Sequence, residues 1–519
     1  MVWLLLAMTM LAPVQENQPL VLVVCPPALQ ESLDDWIDYR QHQGYSIQVI
    51  APGEDAEATR FRILQQSRRQ TPAAIMLVGK PKPGPAFCPV GIVSAEVNVQ
   101  FGSTLEIATD NLFADFDGDG KPEVPIGRLP VESAEMASQL LARTIKYETT
   151  HTHGDWRRRI NLVAGVGGFD PTMDRVIEGA AESVIRTMMP EDYSVSMTWG
   201  SWTSPYCPDP RQFSQTAIER FNEGCLFWVY IGHGFIDRLD RVKTPGGNYS
   251  ILDNTTVPWL SSTNGSPVAL MLCCFTAAFD ARADSLGQKM LEQPHGPVAV
   301  VGGTRMTMPY GMTRMSVEMM DELFNGECKT LGELLHLAKR RTLEPARSGN
   351  PSDCREMIKS IAKMFSPNSD KLEVELQEHV AMMHLLGDPL LQLHRPLKIE
   401  TEITQASAGE TVIVRGVAPV AGTLIVEACY ERGRFYHRPQ RRRAEDLDPA
   451  SSEKLQADYE LCRDRVCSSH TVQVPQGPFE IELPIPENAR GEAVIRTFID
   501  GQTSHAVGVA AISIEPLKR

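Results

Sequence analysis

Three uninterrupted apolar runs constrain this chain more than any other feature: Cys225–Ile231 (CLFWVYI), Val268–Cys273 (VALMLC) and Gly296–Val301 (GPVAVV). A strand with one wet face alternates apolar and polar side chains. A strand without polar positions must be covered on both faces, as at the centre of a parallel sheet wrapped by helices. The chain upstream supplies such wrapping. Leu20–Cys25 reads as a buried strand, Gln30–Gln43 as a helix stopped by Gly44, Ser46–Ile50 as a strand, Glu57–Arg69 as a helix and Ala73–Gly79 as a third strand. A helix over Ser133–Glu148 follows, and the cycle restarts after Arg159 with INLVAGVGG. The expected fold class is α/β, a largely parallel sheet flanked by helices, in two subdomains at 18–150 and 151–396.

From Leu397 the texture changes to alternating strands separated by turns (ETVIVRGV, GTLIVEACY, FEIELPI, EAVIRTFI), so residues 397–519 are expected to form a β-sandwich module. Its insert, Arg432–Ala457, is charged and is expected to be mobile. The basic run Arg441–Arg443 reads as a solvated loop, because Glu445, Asp446 and Asp448 follow it closely.

At 519 residues the chain is too long for one core, and 42% hydrophobic with 22% charged residues is a globular composition. A formal net charge of −15 argues against nucleic acid as a partner. Residues 1–17 contain the apolar stretch VWLLLAMTML and are expected to be a signal peptide, which points to a secreted or extracytoplasmic protein without a transmembrane anchor. The 11 cysteines show no C-x-x-C pair, so a zinc site is not expected; Cys462 and Cys467 are close enough to bridge, with Cys429 as competitor.

The run CLFWVYI leads straight into Gly232, His233 and Gly234, which places His233 at the C-terminal edge of a central strand, where open α/β sheets hold ligands. A GHG tripeptide by itself also fits a plain turn. The run VALMLC ends in the same way at Cys274, and the spacing leaves room for one helix and a return to the adjacent strand. An imidazole beside a thiol can take its proton, and the thiolate is the nucleophile. The N–H groups of Gly234 and Cys274 are the candidates to hold an oxyanion, with His233 returning the proton to the leaving amine.

Asp115, Asp117 and Asp119, interleaved with Gly118 and Gly120, look like the first half of a calcium loop, although Ile126 occupies the place of the usual twelfth-position Glu; a plain acidic turn is the alternative. His379 and His384, five apart, are not a metal pair and read as packing or surface residues.

Taken together, GHG after an apolar strand and a second apolar strand ending in Cys resemble the caspase and gingipain clan. Four segments resemble gingipains in order and spacing: Asp117–Glu148 (DGDGKPEVPIGRLPVESAEMASQLLARTIKYE), Asn222–Gly234 (NEGCLFWVYIGHG), His295–Arg305 (HGPVAVVGGTR) and His384–Leu393 (HLLGDPLLQL). The resemblance covers roughly residues 20–395. It implies a caspase-like catalytic domain, a cysteine endopeptidase acting on proteins or peptides with no cofactor in the chemistry, and an immunoglobulin-like module at the C-terminus. It aligns Cys274 with the nucleophile and leaves Cys273 as a buried thiol. It aligns Asp174 with the carboxylate that reads an arginine, which implies cleavage after Arg or Lys; a helix-start Asp is the plain alternative. Asp388 fits the family motif as a turn cap before the last strand. The sequence departs from the family at Ala277 and Ala278, where Gly and Asp are usual, and at Val166, where a carboxylate orients the histidine. An inactive homologue acting in extracellular binding or surface assembly is therefore the rival reading.

Overall fold

The computed structural model describes residues 18–149, 154–166, 179, 183–344, 354–434 and 441–516; the expected signal peptide lies outside them. The apolar runs pair into the middle of a ten-stranded sheet. In chain order its strands are β1 (Leu20–Val24), β2 (Ser46–Ile50), β3 (Ala74–Val78), β4 (Ile126–Leu129), β5 (Arg159–Ala164), β6 (Ser194–Trp199), β7 (Phe227–Ile231), β8 (Val268–Leu272), β9 (Ala299–Gly303) and β10 (Met383–Leu386). Across the sheet the order is β2-β1-β3-β4-β10-β9-β8-β7-β5-β6. Every pairing is parallel except that of β9 with β10.

The two expected halves thus share one sheet. The last strand, β10, enters between them and pairs with β4 on one side and β9 on the other. A buried polar cluster locks this junction: Asp388 accepts from Trp36 Nε1 at 2.6 Å and from Arg40 at 2.7 Å, and Arg40 also donates to Glu148 at 2.8 Å. Asp388 follows the last strand rather than preceding it, and its partners make it an anchor for the N-terminal helices rather than a turn cap alone.

Both faces of β7 are buried, as its composition requires. Trp228 and Tyr230 point to one core, with Trp36, Leu141 and Phe221; Phe227 and Val229 point to the other. That second core is closed by α2 (Pro309–Asn325), α3 (Leu331–Leu343) and α5 (Leu372–Met382), while α1 (Ala134–Thr149) covers the first and α4 (Cys354–Phe365) packs outside α2. The start of α3 is fixed locally by a capping box: Thr330 Oγ1 accepts the Glu333 N–H at 3.1 Å, and Glu333 accepts the Thr330 N–H at 3.2 Å.

The C-terminal module is a sandwich of two sheets around Val412, Val414, Leu424, Val426 and Ile495. Its long strands are β11 (Thr411–Ala418), β12 (Gly422–Tyr430), β13 (Val466–Val474), β14 (Gly477–Pro484), β15 (Gly491–Gly501) and β16 (His505–Glu515). The insert between β12 and β13 departs from expectation. Its described part carries α6 (Ser452–Arg463), whose Leu455, Tyr459 and Cys462 are buried. Tyr459 shares a 2.7 Å hydrogen bond with Thr198 of the edge strand β6, and Arg442 is buried and donates to the Pro208 carbonyl. Three apolar positions at helical spacing give this helix a face to bury. All eleven cysteines are free thiols in this structure, Cys462, Cys467 and Cys429 included. No helix among the described residues is long and apolar enough to cross a membrane.

Candidate active site

The register of β7 and β8 pairs Ile231 with Leu272, so His233 and Cys274 each stand two residues past the last paired position of adjacent parallel strands. Both line one cleft of about 490 Å³. The chain leaves β7 through Gly232 at φ +154°, and a side chain there would strike the Tyr230 hydroxyl. That hydroxyl donates to the His233 carbonyl at 2.9 Å, and the Asp240 N–H donates to the same oxygen at 3.1 Å. Gly234 is needed for close approach: a Cβ would lie 2.5 Å from the Cys274 carbonyl and 2.8 Å from the Cys273 sulfur. The histidine and cysteine loops are therefore in direct backbone contact.

The two cysteines are separated by their surroundings. Cys273 is wholly buried, its sulfur 3.5 Å from the Thr276 hydroxyl, and burial pushes its thiol far up. Cys274 is half-buried and faces Thr307, whose N–H donates to the sulfur at 3.3 Å and whose hydroxyl lies at 3.4 Å. Thr307 was not legible as a site residue; its closeness depends on how the chain returns after β9. His379, wholly buried, holds that return by accepting the Met308 N–H at Nε2, 2.8 Å away. His384 is buried as well, so both histidines are packing rather than surface residues.

Neither the Gly234 nor the Cys274 N–H donates to a protein acceptor among the described residues. Both candidate oxyanion donors are thus uncommitted. The turn after the nucleophile position places its positive φ, 60°, at Phe275, the sole non-glycine residue of this kind among the described residues. Ala277, where the family usually has Gly, does not have a positive φ; its N–H donates to the Gly303 carbonyl at 3.0 Å and its methyl is buried. The turn is held further by the Phe275 N–H on the Arg305 carbonyl, and Arg305 is clamped by both oxygens of Asp280 at 2.9 and 2.6 Å.

Val166 is half-buried and brings no carboxylate. Asp240, in the hairpin that begins at His233, keeps a buried Oδ2 without a hydrogen-bond partner among the described residues. Asp174 lies outside the described residues. The C-terminal module contributes Arg432, Arg463 and Arg465 to the cleft wall, a contribution that no motif announced.

Away from the cleft, Asp115, Asp117 and Asp119 come together with Glu123, their ligand atoms within 4.8 Å of one another. Glu123 is the ninth residue counted from Asp115, a position that the twelve-residue calcium loop also uses. Burial first, and the neighbouring Asp117, Asp115 and Asp119 next, raise its carboxyl against a lowering bond from the Phe116 N–H. An all-carboxylate set with one buried member suits a hard divalent cation.

Residues 14–394 match peptidase family C25. Gingipain R2 of Porphyromonas gingivalis (strain ATCC BAA-308 / W83) is 24% identical over 310 residues, 57% of this chain and 38% of that protein, so the match spans well under half the length of this curated relative. Among solved structures, the Arg-specific cysteine proteinase gingipain R (RgpB) superposes with a TM-score of 0.52 at 16% identity, covering 97% of this chain and all of that one. A structure described only as a protease gives 0.54 at 14% identity, covering 95% of this chain and 97% of the other. With the family match running through both strand tips and most of the chain, this protein belongs to peptidase family C25, the gingipain-type cysteine peptidases.

Proposed function

We propose that the chain is an extracytoplasmic cysteine endopeptidase. Cys274 attacks the peptide carbonyl, His233 takes the thiol proton and delivers it to the leaving amine, and the Gly234 and Cys274 N–H groups hold the oxyanion. The reading is carried by one observation: an imidazole and a half-buried thiol at level tips of adjacent strands, opening on one cleft. Water completes the cycle by hydrolysing the thioester. The chemistry needs no cofactor.

The rival, an inactive homologue that binds without cutting, retains the fold but not a reactive thiolate. Hydrolysis of a mixed peptide library by wild type, Cys274→Ala and Cys273→Ala separates the two. The expected result is loss of all cleavage in Cys274→Ala alone. A wild type that cuts nothing, with Cys274 alkylated no faster than a buried thiol, sinks the enzyme reading.

The carboxylates of Asp115, Asp117, Asp119 and Glu123 fit calcium as a structural ion remote from the chemistry. Calorimetry on chelator-treated protein is expected to show one saturable calcium site that Asp117→Asn weakens. Absence of heat in the wild type removes the proposal.

A preference for Arg or Lys before the cut is supported by the alignment of Asp174 and by RgpB being described as Arg-specific.

A further inference from the structure

The amide and hydroxyl that meet the Cys274 sulfur both belong to Thr307, in the segment that joins β9 to α2. That segment is pinned at both ends from α5. At its start the Thr304 N–H donates to the Met382 carbonyl at 3.0 Å. At its end the Met308 N–H donates to His379 Nε2 at 2.8 Å, so the peptide group held there is the one that directly follows Thr307. Gly303 leaves the room for this approach: a Cβ there would stand 2.9 Å from the Thr307 methyl.

His379 is wholly buried, and its two ring nitrogens have different partners. Nδ1 lies 2.9 Å from the Glu375 carbonyl, which can only accept, so Nδ1 carries the proton. Nε2 is then the bare nitrogen, and it accepts from Met308. Burial, opposed by those two bonds, lowers the pKa of the ring to about 4, so the neutral form persists at neutral pH. The ring is packed against the first turn of α2, where a Cβ on Gly311 would lie 2.3 Å from Nδ1.

We infer that His379 is a positioning residue for the nucleophile: by holding the peptide group after Thr307, its Nε2 keeps the Thr307 amide and hydroxyl on the Cys274 sulfur and so sets how readily that thiol ionises. The inference deepens the peptidase reading above and rests on it. Hydrogen bonds to a charged acceptor are stronger than those to a neutral one, so the two Thr307 donors favour the thiolate over the thiol. Displacing Thr307 therefore lowers the thiolate population at neutral pH.

Amide side chains separate the two ring nitrogens. Gln carries its oxygen to about the place of Nε2, Asn reaches only as far as Nδ1, and Met fills the space with a weak acceptor. Iodoacetamide labelling of Cys274, resolved from the other cysteines by peptide mass spectrometry, reads the thiolate whether or not a peptide is cut. His379→Asn and His379→Met are each expected to label at least about tenfold more slowly than wild type at pH 7, with the deficit closing above about pH 9.5, where the thiol is ionised in every form. His379→Gln is expected within about twofold of wild type. For a cleaved peptide, kcat falls in step while KM changes by less than about twofold. Thr330→Ala, which removes the N-cap of α3, is expected to lower the melting temperature and leave the labelling rate unchanged. Loss variants as fast as wild type, a Gln variant as slow as Asn, a deficit that persists at high pH, or equal slowing in Thr330→Ala each overturns the inference and leaves the peptidase standing. In the wild type itself, a ¹⁵N-histidine spectrum that places the His379 proton on Nε2 overturns it as well. A wild-type Cys274 no more reactive than the buried Cys273 removes the peptidase reading and the inference together.

Discussion

The Thr307 amide and hydroxyl meet the Cys274 sulfur at 3.3 and 3.4 Å, while Cys273, one residue away on the opposite side of the strand, meets only the Thr276 hydroxyl inside the core. The difference matters because a thiolate is stabilised by donors aimed at it and is suppressed by burial without them. A hydroxyl donating to a charged group contributes about 1.5 kcal/mol, or roughly tenfold in a rate that depends on the thiolate. Thr307→Val keeps the amide and the shape but removes the hydroxyl. It is expected to slow alkylation of Cys274 by about tenfold at pH 7, with Thr307→Ser close to wild type. Stopped-flow iodoacetamide kinetics check this; an unchanged rate in the Val variant assigns the sulfur's stabilisation to the amide alone. Phe275 contributes differently, through its backbone. Its left-handed conformation costs about 1–3 kcal/mol and is held by the bond to Arg305, itself clamped by Asp280.

At the scale of elements, what was legible in the sequence follows from which interactions are local. The central strands could be read because a doubly buried strand must be apolar throughout, and β7, β8 and β9 fall within a few residues of the runs that announced them. His233 and Cys274 could be read because each directly follows such a run. The start of α2 could not. Met308, at its N-cap, offers no side-chain oxygen, and the orphan donors are met from α5 instead, the Met308 N–H by His379 and the Gly311 N–H by Glu375. A cap supplied by another helix leaves no mark at the helix it caps. The helix α6 was hidden for another reason: its many charged residues mask the Leu455, Tyr459 and Cys462 stripe, and composition alone reads such a segment as loop. Glu123, at the ninth position from Asp115, was legible in the spacing and was passed over because attention went to the missing Glu at the twelfth.

For the whole molecule, the question is what couples the C-terminal sandwich to the catalytic sheet. The edge strand β6 would present unpaired backbone groups to solvent, and α6 covers it from the C-terminal side. Beneath that contact lies a buried charge cluster that spans the two units: Glu427 of β12 accepts from Arg158, just before β5, at 2.9 Å and from Arg496 of β15 at 2.8 Å. Burial by itself would raise the Glu427 carboxyl, but Arg158 and Arg496 overcome this and hold it below its ordinary 4.5. A carboxyl lowered in the folded state stabilises above its unfolded pKa, so this contribution is fully present above pH 4.5 and is lost as pH falls through the depressed value. Glu427→Ala leaves two buried guanidinium groups without a counter-charge, a loss of about 3–5 kcal/mol. Because Arg158 and Arg496 sit on opposite sides of the junction, relief of their repulsion pulls the two units apart. Differential scanning calorimetry at pH 7 is therefore expected to resolve the variant into two transitions, with a cooler C-terminal one, where the wild type melts in one. Since Arg432, Arg463 and Arg465 wall the cleft from the C-terminal side, the same uncoupling is expected to raise KM for long peptides more than for short acyl-amides. A variant that still melts in one transition at the wild-type temperature shows that α6 and the cover it gives β6 hold the units together without the charge cluster.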